Sequence, residues 1–268
     1  MDELYLLLML GAVSGLLGGM LGIGGGVVLV PALILILDQS GSLSGSAVTL
    51  VAVGTSMACI VFTSASAAYT QYRSDKILWP VFRQMTPLFL LGSLSAGLLA
   101  PMLDAAMLRV LIGAFLLAVG VIMFSRWSPP ASRPLPGPLG SSAVAYTGGL
   151  MSGTAGIAGG NIIVPTLVFF NVPMHNATAT SSAMGVLIAL AGAAGYAAGV
   201  GAELTTNRPM LGYIDLTYWI TLTLCAVLTA PIGVRLAHRV PAAQLKRGFG
   251  ILLLIVALRM IYSAAGLS

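Results

Sequence analysis

Apolar residues run along this chain in long stretches, roughly from Leu4 to Leu37, Ala47 to Tyr69, Thr86 to Leu103, Leu108 to Phe124, Ala143 to Phe170, Ala177 to Val200, Leu216 to Val234 and Phe249 to Tyr262. Most have the length of a single transmembrane helix. The first and fifth are longer than one ordinary crossing and carry glycine runs near their middles. That combination predicts a broken or re-entrant pair of half-helices in each, because irregular backbone at membrane depth is tolerated only where protein or a cavity surrounds it.

The two glycine runs are nearly the same sequence. Leu21-Gly22-Ile23-Gly24-Gly25-Gly26-Val27-Val28-Leu29-Val30-Pro31 returns half a chain later as Ala155-Gly156-Ile157-Ala158-Gly159-Gly160-Asn161-Ile162-Ile163-Val164-Pro165. Downstream, Ala52-Val53-Gly54-Thr55-Ser56 matches Ala177-Thr178-Ala179-Thr180-Ser181, and Gly97 and Gly113 match Gly233 and Gly250. The stretch between the halves holds five prolines and cannot continue a helix. The division read from this is a first repeat over 1–127, a linker over 128–140 and a second repeat over 141–268. The fold class expected is an all-α polytopic membrane protein of two inverted-topology repeats, each a broken or re-entrant helix pair plus three transmembrane helices.

Composition agrees with the pattern. At 58% hydrophobic and 7% charged residues, with mean hydropathy +1.01, the chain has too little polar surface to coat a soluble globule of its size. A pI near 9.5 raises nucleic acid as a partner, but the basic residues fall singly or in small groups between apolar spans. They read as loop charge that sets membrane orientation. If the fifth span turns back on itself, Arg73, Lys76, Arg83, Arg126, Arg133, Arg235, Arg239, Lys246 and Arg247 share one face, and the opposite loops keep Arg109 and Arg208. The positive-inside rule therefore favours the hairpin there, whereas for the first span the repeat alone suggests it. The N-terminus Met1-Asp2-Glu3 lacks the positive region of a secretory signal and reads as mature sequence.

Chemistry is sparse. No span centre contains Asp, Glu, Lys or His, so neither a proton relay nor a cation pump is visible. His175 and His238 sit in loops without an evident nucleophile or acid beside them, which argues against an enzyme; Asn176 reads as a helix cap. Cys59 and Cys225 lie in apolar spans without a CxxC, and no metal or cofactor is expected. Gly11, Gly15 and Gly19, with Gly149, Gly153, Gly195 and Gly199, have the spacing that lets membrane helices approach closely. Tyr69, Tyr72, Trp79, Trp127, Tyr213, Tyr218 and Trp219 gather at span ends as interfacial anchors.

An anion can be held without a buried cation when helix N-termini point at it, each carrying an effective charge of about +0.5 and unsatisfied N–H donors. Gly24, Gly25 and Gly26 in one half, and Gly159, Gly160 and Asn161 in the other, supply two such termini. Thr55, Ser56, Thr180, Ser181 and Ser182 occupy corresponding places in the next helix and are candidate donors worth roughly 1.5 to 3 kcal/mol each toward a charged ligand. Asn161 breaks the symmetry, replacing Val27 with a side chain that both donates and accepts.

These paired motifs, Gly22-Ile23-Gly24-Gly25-Gly26 with Pro31 and Gly156-Ile157-Ala158-Gly159-Gly160-Asn161 with Pro165, each followed by a Thr-Ser segment, resemble the TauE/SafE family of membrane permeases over essentially the whole chain. The resemblance implies movement of a small sulfur-containing or organic anion, such as sulfite or a sulfonate, across the bacterial cytoplasmic membrane. It leaves import or export open. The expectation is a multi-pass secondary transporter working by alternating access, in a lipid bilayer and as a monomer or homo-oligomer. An anion channel on the same scaffold and a non-transporting scaffold subunit are the rival readings.

Overall fold

The computed structural model describes residues 2–41, 43, 46–124, 138–199 and 208–264. Its helices are α1 (Asp2–Leu21), α2 (Gly26–Ser40), α3 (Ser46–Tyr72), α4 (Trp79–Leu99), α5 (Ala105–Phe124), α6 (Pro138–Thr154), α7 (Gly160–Phe169), α8 (Met174–Ala197), α9 (Leu216–Ala237) and α10 (Ala242–Ala264). A 3-10 turn, Ala100–Met102, closes α4. Five helices, α1, α3, α4 (with that turn), α8 and α9, are long and apolar enough to cross a bilayer. The molecule is an all-α polytopic membrane protein.

Both long apolar stretches are broken where glycine was expected to break them. The arms are unequal: α1 has 20 residues and α2 has 15, while α6 has 17 and α7 only 10. Most other boundaries extend the apolar runs by up to a few turns, as at α4, where Pro80 sits in the first turn and its missing N–H costs nothing. The expected linker over 128–140 lies outside the described residues up to 137, and Pro138 to Gly140 already belong to α6. The apolar pattern gives no hint of the small hairpin β1 (Met210–Leu211) and β2 (Ile214–Asp215), turned by Gly212 at φ 56°.

Small residues fix how the helices pair. A Cβ on Gly11 would sit 2.5 Å from the Leu222 carbonyl oxygen, and Cβ atoms on Gly15 and Gly19 would overlap the carbonyls of Ala226 and Ala230. The order 11, 15, 19 against 222, 226, 230 makes α1 and α9 run side by side in the same direction. In the same way Gly149 abuts Phe89 and Gly153 lies 3.0 Å, as a Cβ, from the Cα of Ser93, so α6 runs alongside α4. Close backbone approach of this kind gives lipid-embedded helices their dispersion contacts, since no hydrophobic effect separates helix from lipid. The outward faces are apolar, with Ile220, Leu224, Leu228 and Ile232 exposed at helical spacing along α9.

The aromatic residues divide. Tyr69, Tyr72 and Trp79 are exposed at one end, as interfacial anchors should be. Tyr213 and Tyr218 are buried instead, Tyr218 with its hydroxyl on the Glu3 carboxylate. Asn176 is not the cap of α8, which is preceded by Pro173; its amide donates to the Lys76 carbonyl oxygen at 3.1 Å. Cys59 and Cys225 are free thiols.

Candidate functional site

The two glycine breaks meet each other. A Cβ on Gly26 would overlap the Gly156 carbonyl oxygen, and one on Gly160 would lie 2.5 Å from the Cα of Ile23 and 2.8 Å from the Gly22 carbonyl oxygen. The start of α2 therefore rests on the second break and the start of α7 on the first, backbone against backbone. Each helix begins from a left-handed glycine, Gly25 at φ 88° and Gly159 at φ 76°, and each break opens on another, Gly22 at φ 70° and Gly156 at φ 68°. Side chains rarely adopt this conformation, at a cost of about 1–2 kcal/mol per residue. In the first turns the Val28 and Ile162 N–H groups turn back to the Gly25 and Gly159 carbonyls; those of Gly26, Val27, Gly160 and Asn161 have no carbonyl one turn earlier in their own helix, and the aligned peptide dipoles add positive potential there.

The hydroxyls that the sequence offered as ligand donors hold this crossing together. The Ser56 hydroxyl donates to the Gly156 carbonyl at 3.0 Å, and the Ser181 hydroxyl donates to the Gly22 carbonyl at 2.7 Å. Each half clamps the break of the other. Thr55 accepts from the Asp215 N–H at 3.0 Å and Thr180 from the Leu78 N–H at 2.9 Å, so both threonines pin the entry to a neighbouring helix. Thr180 also donates to the Asn176 carbonyl at 2.8 Å, and Ser182 donates to that of Thr178 at 3.0 Å.

Among the described residues, three fully buried polar side chains on the broken helices and their neighbours lack a hydrogen-bond partner. Asn161 is 0% exposed, and neither its Nδ2 nor its Oδ1 has a hydrogen-bond partner among the described residues. The Ser64 and Ser152 hydroxyls are likewise buried and unpartnered. Ser64 Oγ lies 2.7 Å from where Gly24 would carry a Cβ and 3.1 Å from the same point on Gly185, which places it beside the first break. Ser152 is tied to the second break through its carbonyl, which accepts from the Ile157 N–H at 2.9 Å. Pro165 has no N–H to return to the Asn161 carbonyl one turn earlier, so that oxygen loses its ordinary helical partner as well. The contrast that singles out Asn161 against Val27 holds equally for Ser64 against Ala189 and for Ser152 against Gly18. The signal available for them was a hydroxyl present in one repeat only.

Charge lies at the ends. At one end Arg208 bridges Glu3 at 3.2 Å and Asp215 at 3.4 Å and covers the Tyr218 ring, while Arg109 pairs with Asp38 at 3.3 Å and Thr49 at 3.1 Å. At the other, His175 and His238 stack with ring centroids 5.5 Å apart, and His238 meets the buried Gln71 at 3.1 Å. No cluster of three or more His, Cys, Asp or Glu is present among the described residues.

The family model described as sulfite exporter TauE/SafE matches residues 7–260. The chain belongs to the TauE/SafE family. Among its relatives, a probable membrane transporter protein of Haemophilus influenzae is 30% identical over 262 residues, covering 96% of this chain and 97% of its own. One of Methanocaldococcus jannaschii is 26% identical over 91% of this chain and 90% of its own, and one of Bacillus subtilis is 23% identical over 96% and 97%. No solved structure matches. TauE/SafE membership makes this a membrane transporter by family, and points to transport rather than catalysis.

Proposed function

We propose that this protein is a secondary carrier for a small anion of the sulfite or sulfonate type in the bacterial cytoplasmic membrane. The anion is held where the two broken helices cross, against the first turns of α2 and α7 and the side chain of Asn161. Gly24, Gly25, Gly26, Gly159 and Gly160 shape the cradle, and Thr55, Ser56, Thr180 and Ser181 stiffen it through the backbone. The observation that carries this reading is Asn161, whose buried amide has no protein partner. An unmet buried polar group costs about 1–3 kcal/mol, and a ligand that meets it recovers that energy on binding.

The halves form an inverted repeat in this reading. It is supported by the pairing of α1 along α9 and of α6 along α4, together with the separate latches before these partners, Thr55 to Asp215 ahead of α9 and Thr180 to Leu78 ahead of α4. Rocking one half against the other then exposes the crossing to each side in turn. The tight apposition of Gly26 on Gly156 and of Gly160 on Ile23 favours a carrier over an open channel.

The test is uptake of labelled sulfite by proteoliposomes of the purified chain, with thermal-shift binding of sulfite, thiosulfate and simple sulfonates beside it. Saturable uptake that Asn161→Val removes is expected. If none of these anions binds or moves, the carrier reading is wrong.

A further inference from the structure

The unpartnered groups at the crossing are of mixed kind, and this constrains the ligand. An amide presents two N–H donors and one carbonyl acceptor whichever way round it is built, and Asn161 Oδ1 can only accept. Ser64 and Ser152 donate or accept as needed. A fully deprotonated oxyanion offers acceptors alone. It would satisfy the amide N–H groups and the hydroxyls while leaving the Asn161 Oδ1 without a donor.

Among the described residues no acid lies near the crossing to resolve this. The elements forming it keep their charged residues at their ends, Asp2 and Glu3 on α1, Asp38 on α2, Arg73 just beyond α3 and His175 on α8, and α6 and α7 carry none. The titratable groups closer in are Cys59, which is buried, and Tyr196, whose hydroxyl donates to the Gly153 carbonyl at 3.1 Å.

We propose that the site takes a singly charged oxyanion that carries its own hydrogen-bond donor, either a protonated oxyanion or a sulfonate bearing a hydroxyl or ammonium group. This rests on the carrier reading above and narrows its substrate class. For a protonated oxyanion the proton travels on the cargo: the hydrogen-oxyanion enters and leaves as one unit, no bond is made or broken in the site, and water takes the proton on the more alkaline side. Net movement is one proton with each dianion equivalent, without a carboxylate relay.

The experiment compares two probes that differ by one hydroxyl, ethanesulfonate and 2-hydroxyethanesulfonate, both singly charged at any working pH, as competitors of labelled sulfite uptake in proteoliposomes of the full chain. The hydroxylated probe should compete about tenfold better or more, the value of one recovered buried hydrogen bond. Asn161→Val, which installs the residue found at the matching position 27, removes the uptake being competed, so its effect is read by thermal shift with the two sulfonates, which should no longer differ. Sulfite affinity itself should follow the singly protonated fraction, falling about tenfold per pH unit on the alkaline side of its second ionisation, while the competition by the two sulfonates stays level over the same range. Equal competition by both sulfonates, or sulfite uptake unchanged across its ionisation, overturns the inference and leaves the carrier reading standing. Failure of every sulfur anion to bind would remove both.

Discussion

The two glycine breaks are built to one plan and finished differently. The first has three left-handed glycines, Gly22, Gly24 and Gly25, and the second has two, since Ala158 stands in place of Gly24. Around the first, hydroxyls reach the backbone: Ser14 donates to the Gly25 carbonyl at 3.3 Å and Thr63 to that of Gly24 at 2.9 Å. Around the second, the corresponding positions are Gly148 and Ile188, which offer no such bond, and Asn161 and Ser152 stand there unpartnered instead of Val27 and Gly18. Each break therefore keeps one unpartnered hydroxyl beside it, Ser64 at the first and Ser152 at the second, and only the second adds an unpartnered amide, Asn161. That amide is the difference on which the proposed binding role rests.

The largest effect should come from filling the shared geometry. Gly22→Ala forces a side chain into the left-handed region and drives its Cβ into the Thr178 carbonyl, a fixed piece of backbone. Beyond the ~1–2 kcal/mol of conformational cost, the overlap requires α8 to move, and monodisperse protein in detergent should be lost. Gly156→Ala meets the Val30 methyl first, at 2.6 Å, and that side chain can turn away. It should fold poorly but measurably better than Gly22→Ala in fluorescence-detected size exclusion. Equal tolerance of both would show that the first break is no more rigid than the second.

Next in size is an exchange between the copies. Asn161→Val removes two unsatisfied buried atoms, each costing about 1–3 kcal/mol, so the melting temperature should rise while anion uptake disappears. The reverse change, Val27→Asn, buries an unmatched amide beside the first break and should lower stability by a similar amount without adding affinity. A fall in stability for Asn161→Val would mean that the amide is satisfied by the protein after all.

The clamps should behave alike in both halves. Ser56→Ala and Ser181→Ala each leave a buried glycine carbonyl without its donor, at about 1–3 kcal/mol. Chemical denaturation or thermal melting should place the two within a few tenths of a kcal/mol of each other. A large difference would break the equivalence inferred from the matching hydrogen bonds.

The repeat was legible in the sequence, because a duplicated glycine run inside an over-long apolar stretch has one physical use, and both breaks fall on it. The apolar runs also located the membrane helices, although they missed the first turn or more of α4 and α10, where charged residues already lie within the helix. What the sequence could not apportion was the work of the hydroxyls. Thr55, Ser56, Thr180 and Ser181 stood out because they recur in both halves, and recurrence marks what the fold needs twice. Ser64 and Ser152 occur in one half only, as Asn161 does, and so lay outside the recurrence that exposed the clamps. Burial of the two tyrosines was hidden for another reason: Tyr218 depends on Glu3 across nearly the whole chain, and Tyr213 packs against Gly54 and Gly199.

The smallest effect lies at the ends of the molecule, where the matched latches Thr55–Asp215 and Thr180–Leu78 sit in unlike surroundings. The first is flanked by Arg208 between Glu3 and Asp215, and the second by the stacked His175 and His238. Partial burial, followed by the nearby His175 and Lys76, holds the His238 imidazole below its ordinary value of 6.5. A depressed value means that the unfolded chain binds this proton first as the solution is acidified. The stability contributed by neutral His238 is therefore complete above pH 6.5 and is lost as pH falls through the lower, folded value. Melting curves recorded downward from neutral pH should show a modest decline that His238→Gln abolishes, with the amide keeping a bond to Gln71. A decline of the same size in the variant would shift the cause to the Glu3, Asp215 and Arg208 end, and with it the assignment of the acid-sensitive latch.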